Sequence, residues 1–210
     1  MPYSVPYDLP DIRRVVTGNN DSAQGIVTHN EIVPGEPMGL VEGARGTTLW
    51  VTTDGIPTND NNSAEDGARR PLSTEQNLGL APPDGTSLRS TDLAPGAVTP
   101  MHRTATVDYN ILVSGEAILV MDDGSEVHLR NPGDVAIQRG AMHAWRNPSP
   151  DRWARWISVL MGASPACVNG RTLPTEAYGY EVYEARKMAG DDVVKANEIK
   201  EGAKREEVKA

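Results

Sequence analysis

Several things are scarce in this sequence, and each absence closes off a class of function. There is a single cysteine, Cys167, in 210 residues. An intramolecular disulfide and a cysteine-based zinc site are therefore both excluded, and the usage suits a reducing compartment. Basic residues are outnumbered, 20 Lys and Arg against 29 Asp and Glu, for a net charge of -9. Phosphate backbones and anionic membrane surfaces need a basic face, so neither nucleic acid nor membrane is an expected partner. No apolar run approaches the roughly 18–20 residues that span a bilayer. The N-terminus, MPYSVPYDLPDIRRVV, has no apolar stretch flanked by basic residues. A signal peptide is not expected, and the expected location is cytoplasmic. Phenylalanine is absent, whereas 20 Gly and 16 Pro favour a turn-rich β protein over a helical bundle.

What is present is a ladder of short strands. Residues 1–53 read as an N-terminal arm with strands at IRRVV, IVTHNEIV and TTLWVT. Residues 54–86 are rich in Asn, Asp, Gly, Ser and Pro, and read as a long polar loop of the kind used as a lid or an insertion. Residues 87–165 carry the clearest pattern. Strand-like runs recur every 8–12 residues, with turns at Pro95-Gly96, Ser114-Gly115 and Asp123-Gly124. No helix-period segment intervenes, which excludes a βαβ fold there. Residues 166–210 turn charged and helix-forming, and read as a short C-terminal helical extension with a frayed tail. No internal repeat is visible.

Four histidines exist: His29, His102, His128 and His143. Two sit in suggestive settings. His102, Thr104, Thr106 and Asp108 are separated by even steps, so on extended chain they share one face. Asn110 has the same parity, while Arg103 and Tyr109 have the other. His143, Trp145 and Asn147 likewise share a face. If both faces turn inward, two imidazoles and one carboxylate converge. Such a trio can bind a divalent cation and leave positions open, with Fe(II) favoured and Mn, Ni, Co or Zn also suited. Acid–base work by His and Asp without metal, or hydrogen-bonded core histidines, are the competing readings. Arg139 and Arg146 are candidates to clamp a substrate anion, with surface or ion-pair roles as the competing reading, and Trp145 to stack on an aromatic ring, with core packing as the competing one. His128 reads as surface, His29 as remote from the site, and Cys167 as inert.

The two segments resemble the paired motifs of the cupin superfamily. In the first motif, Gly96, His102, Asp108 and Gly115 fall on family positions; in the second, Gly133, Gly140, His143 and Asn147 do, with Gln138 where proline is usual. The match spans about a third of the chain. It implies an all-β double-stranded β-helix, the jelly-roll barrel, and pairing as a homodimer. The chain departs from the motif at two positions: Thr104 replaces the second family histidine, and Asp108 replaces the glutamate. The stretch MHRTATVDYN…QRGAMHAWRN resembles a subgroup of small bacterial and fungal cupins whose fungal members are described as cupin-domain oxidoreductases tailoring polyketides, salicylaldehyde-type aromatics among them. The resemblance implies a metal-dependent oxidoreductase acting on a small aromatic or polyketide-derived carbonyl compound. Its catalytic and metal residues would be His102, Asp108 and His143; Thr104, Asn110, Arg139 and Trp145 would contact substrate. A decarboxylase, dehydratase or isomerase, or a non-catalytic ligand-binding cupin, are the alternatives it leaves open.

Overall fold

The computed structural model describes residues 5–39 and 41–189; the frayed tail expected beyond them, and the first four residues, lie outside the described residues. β1 (Ile12–Asn19) and β2 (Gly25–Val33) form a hairpin of their own. The first of two larger sheets is built from β3 (Glu36–Pro37), β4 (Ala44–Thr52), β5 (Thr86–Leu93), β7 (Thr106–Ser114), β10 (Val135–Arg139) and β12 (Ala154–Gly162). The second contains β6 (Met101–Arg103), β8 (Ala117–Met121), β9 (Glu126–Leu129), β11 (His143–Arg146) and β15 (Glu176–Tyr178). The orders are β10-β7-β12-β5-β4-β3 and β15-β6-β11-β8-β9, with every pairing antiparallel. Strands close in sequence alternate between the sheets, which is the jelly-roll arrangement. A small hairpin, β13 (Cys167–Val168) with β14 (Arg171–Thr172), precedes β15.

Alternation along the strands explains what lies between the sheets. On β7, Thr106, Asp108, Asn110 and Leu112 are buried, while Tyr109 and Val113 are exposed. On β12, Trp156, Ser158 and Leu160 are buried on one face. The interior is thus divided lengthwise. One end is apolar, packed by Leu93, Leu112, Leu119, Leu129 and Trp153. The other end, towards Thr106 and Asp108, is left polar and open. A second cluster lies outside the five-stranded sheet, where Tyr183 on a helix over residues 180–189 packs with Met101, Ile118, Val120 and Met142. Among the described residues no helix is long and apolar enough to cross a membrane.

The polar loop 54–86 is tied to the barrel. Arg14 pairs with Asp66 at 2.7 Å and with Glu31, and Arg70 pairs with Asp60 at 2.7 Å and Glu65 at 2.8 Å. The Trp50 indole on β4 donates to Asp60 at 2.8 Å. Gly67 lies flat on that indole, where a Cβ would fall 2.4 Å from the ring, so only glycine allows this approach. Asn77 accepts the Ala105 N–H at 3.0 Å, fixing the end of the loop against the turn between β6 and β7. That anchoring brings Leu78 and Leu80 to the open end of the barrel.

Candidate functional site

The open end is a cavity of about 210 Å³ between the two sheets. His102 on β6 and His143 on β11 face each other as cross-strand partners, and their rings are 4.3 Å apart between centroids. Each ring is oriented by its own backbone. His102 Nδ1 donates to Pro100 O at 3.0 Å, and His143 Nδ1 to Ala141 O at 2.9 Å. A carbonyl can only accept, so the proton sits on Nδ1 and the Nε2 lone pair of each ring is free. Burial pushes the His102 imidazole below its ordinary value. It pushes His143 down to about 3, with the neighbouring His102 adding repulsion and the Ala141 hydrogen bond opposing. Both rings are therefore neutral ligands or bases at physiological pH.

Asp108 enters the same cavity from the six-stranded sheet. It is buried, its Oδ1 has no hydrogen-bond partner, and burial pushes its carboxyl up to about 6, with Thr106 pulling slightly back. Thr104 and Thr106 hydroxyls are joined at 2.6 Å. Thr104, Asn110 and Trp145 all line the cavity, with Trp145 stacked on Trp156 at 5.4 Å and 30°.

Two expectations need correction. Arg139 lies on the outer face of β10, because its neighbour Gln138 is the inward residue and strand neighbours point oppositely. Arg146 takes the ion-pair role left open for it, pairing with Glu126 at 2.7 Å. The expected trio is also divided. The cavity holds His102, His143 and Asp108, but among the described residues no three His, Cys, Asp or Glu side chains are close enough to hold one ion. The histidines ride on the five-stranded sheet and Asp108 on the six-stranded one. His128 binds Glu116 at 2.8 Å, His29 sits on the β1–β2 hairpin, and Cys167 is exposed; none of them lines the cavity. Asn147 is structural, spanning Leu93 O, Arg152 O and the Ser149 N–H.

Sequence reading missed Arg89, Trp156, Ser158 and Leu160, all of which line the cavity. The last three were legible in principle, since WARWISVLM puts them on one face by period two.

The histidine pair fits a divalent cation. Two imidazoles with fixed Nδ1–H tautomers and free Nε2 lone pairs are the usual donor chemistry for one, and the backbone carbonyls act as the orienting outer partners. Without a cation the pair makes stability pH-dependent. In the unfolded chain His143 takes up a proton below about pH 6.5, whereas the native ring stays neutral to about 3. The unfolded state then binds more protons as pH falls, so stability is lost on the acid side. Relative to His143→Gln, chelator-treated wild type is expected to lose roughly 3 kcal/mol of unfolding free energy between about pH 7 and pH 4. Urea titrations of both proteins check this, and parallel pH profiles would contradict it.

No family model matches the chain. Curated relatives do. Phomopsin biosynthesis cluster protein C' of Diaporthe leptostromiformis is 42% identical over 95 residues, covering 45% of this chain and 50% of that protein. Cupin-domain-containing oxidoreductase srdB of Neurospora crassa is 42% identical over 91 residues, 43% of this chain and 46% of that one. Cupin-domain-containing oxidoreductase virC of Hypocrea virens is 27% identical over 172 residues, 80% and 86% of the two chains. The chain spans about half the length of the first of these relatives. Among solved structures, the cupin domain of Schizosaccharomyces pombe Cnp3 superposes with a TM-score of 0.44 at 9% identity, over 71% of this chain and 86% of that one. The polyketide cyclase RemF of Streptomyces resistomycificus does so with 0.43 at 16% identity, over 64% and 77%. The chain is thus a relative of proteins named cupin-domain-containing oxidoreductases.

Proposed function

We propose that the chain is a small-molecule oxidoreductase that holds a divalent cation, Fe(II) in the first instance, on His102 and His143 and acts on an aromatic or polyketide-derived carbonyl compound. The observation that carries this reading is the paired imidazoles with free Nε2 atoms inside one cavity. When bound, such a cation polarises a substrate oxygen or exchanges electrons with dioxygen. The chain's own residues do the rest. Trp145, Trp156 and Leu160 offer a flat apolar surface that suits a planar body and excludes water. Asp108, with its carboxyl near 6, can hold or release a proton close to neutral pH. The relatives' printed names support the oxidoreductase class and a role in biosynthesis clusters.

A second reading has a specific observation in its favour. Asp108, with Oδ1 unpartnered and its carboxyl near 6, suits decarboxylation, dehydration or isomerisation without a metal. Elemental analysis of purified protein separates the two. Near-stoichiometric Fe, Mn, Ni, Co or Zn in wild type, lost in both His102→Ala and His143→Ala, is the expected result. Wild type that neither contains nor takes up a divalent metal would sink the metalloenzyme reading and leave the acid–base one.

A further inference from the structure

We propose that Arg89 and Asn110 form an oxyanion-binding wall opposite the histidine pair, so that the ligand of this cavity is a carboxylate of a planar apolar acid. This rests on the reading of the cavity as a small-molecule site, and it names the substrate class.

Arg89 on β5, Ser158 on β12 and Asn110 on β7 occupy one row across the six-stranded sheet. Ser158 is the cross-strand partner of Arg89 on one side and of Asn110 on the other. All three side chains line the cavity. Ser158 Oγ donates to Asn110 Oδ1 at 2.6 Å, which sets the amide's orientation. The Asn110 amide nitrogen is then left buried with two N–H donors and no acceptor, although the residue is only 4% exposed. A buried donor without a partner is costly, and it marks a place where something absent from the chain supplies the acceptor.

Arg89 makes the same point in charge. The guanidinium lies next to Gly46 on β4, where a Cβ would fall 3.4 Å from Nη2. Burial disfavours its charge, yet a guanidinium does not give up its proton in a protein. Elsewhere the chain balances its buried guanidinium groups with carboxylates: Arg14 with Glu31 and Asp66, Arg70 with Asp60 and Glu65, and Arg155 with Asp92. Arg89 has neither an ion pair nor a hydrogen bond among the described residues. Asp108 makes no ion pair with it among the described residues, and its Oδ1 has no hydrogen-bond partner.

A half-buried charged fork and two free amide N–H groups, on one row of the sheet and lining one cavity, suit the two oxygens of a carboxylate. The rest of such a ligand would lie along Trp145 and Trp156, and its far end would face the imidazoles on the other sheet. A neutral carbonyl can accept from the amide but leaves the guanidinium's charge unbalanced, so the wall favours an anion.

The test uses the full chain and two probes of one shape, 2-naphthoate and the uncharged 2-naphthamide, titrated calorimetrically at neutral pH. Wild type is expected to prefer the naphthoate by roughly tenfold or more. Arg89→Met is expected to erase that preference while leaving naphthamide affinity within about twofold, and Arg89→Lys to retain part of it. Equal affinity of wild type for the two probes, absence of naphthoate binding, or an undiminished preference in Arg89→Met would each overturn the proposal. The wild-type comparison stands even if a variant folds poorly. Chelator-treated wild type separates this inference from the metal reading. It should keep the naphthoate preference, so loss of that preference on metal removal overturns the wall, whereas wild type that holds no metal yet still selects naphthoate counts against the metal alone.

Discussion

Asp92→Ala is expected to lower the unfolding free energy by about 3–5 kcal/mol, the loss typical when one partner of a buried ion pair is removed. Asp92 is 1% exposed and Arg155 6% exposed, and they meet side-on with both bonds at 2.6 Å. The pair lies on the face of the six-stranded sheet away from the cavity, where the N-terminal arm covers it. Tyr7 donates to Asp92 Oδ2 at 2.6 Å, and Arg155 donates to the Tyr7 hydroxyl at 2.8 Å and to Pro10 O at 2.6 Å. Burial and the Asp92 charge push the Tyr7 phenol up to about 12, so it stays a donor across the working pH range. Removing the carboxylate strands a guanidinium among apolar residues and frees the arm. A drop in urea midpoint together with faster proteolysis before Ile12 is the expected signature. Replacing both partners by apolar residues, Asp92→Leu with Arg155→Met, should recover much of the loss, because the cost lies in the unpaired charge. A cost below about 1 kcal/mol for Asp92→Ala would mean that the pair does not hold the arm.

Asp108→Asn is expected to act in opposite senses on stability and on function. In the native chain the carboxyl titrates near 6, against an ordinary value of 3.8. Between those values the native state holds a proton that the unfolded state has released. Stability therefore falls as pH rises through that window and remains reduced above it. An amide carries no such charge, so chelator-treated Asp108→Asn should be more stable than wild type by roughly 3 kcal/mol at about pH 8, and nearly equal to it at about pH 4. The same change removes the cavity's proton-holding group, so turnover should drop while metal content stays as in wild type. A variant that is destabilised at both pH values would show that the carboxylate is held by a partner rather than left bare.

Much of this architecture could be read directly from sequence, because strand alternation and turn chemistry are local. Asp108 and Asn110 point inward and Tyr109 outward as their parity requires, and Asp123-Gly124 closes the β8–β9 hairpin. His102 and His143 reach one cavity because each follows its own strand's period. What depended on lateral neighbours was hidden. Arg89 reads as an ordinary strand residue in SLRSTDL, and only its row with Ser158 and Asn110 reveals what surrounds it. Arg139 was drawn into the expected site by its nearness to His143 in sequence, whereas the buried Gln138 beside it turns it outward. Loop 54–86 reads from sequence as a lid or an insertion for the same reason. Its acidic residues are held by Arg14 and Arg70, and neither pairing leaves a periodic signal.

The stacked indoles of Trp145 and Trp156 also make the molecule an optical instrument. Two such chromophores at 5.4 Å and 30° share their excitation, so their far-ultraviolet dichroism should carry a paired positive and negative band set by their mutual angle. An occupant lying against them will shift that couplet and quench their emission. Filling of the cavity can therefore be followed by light alone, in solution and without a label, before any reaction has been identified.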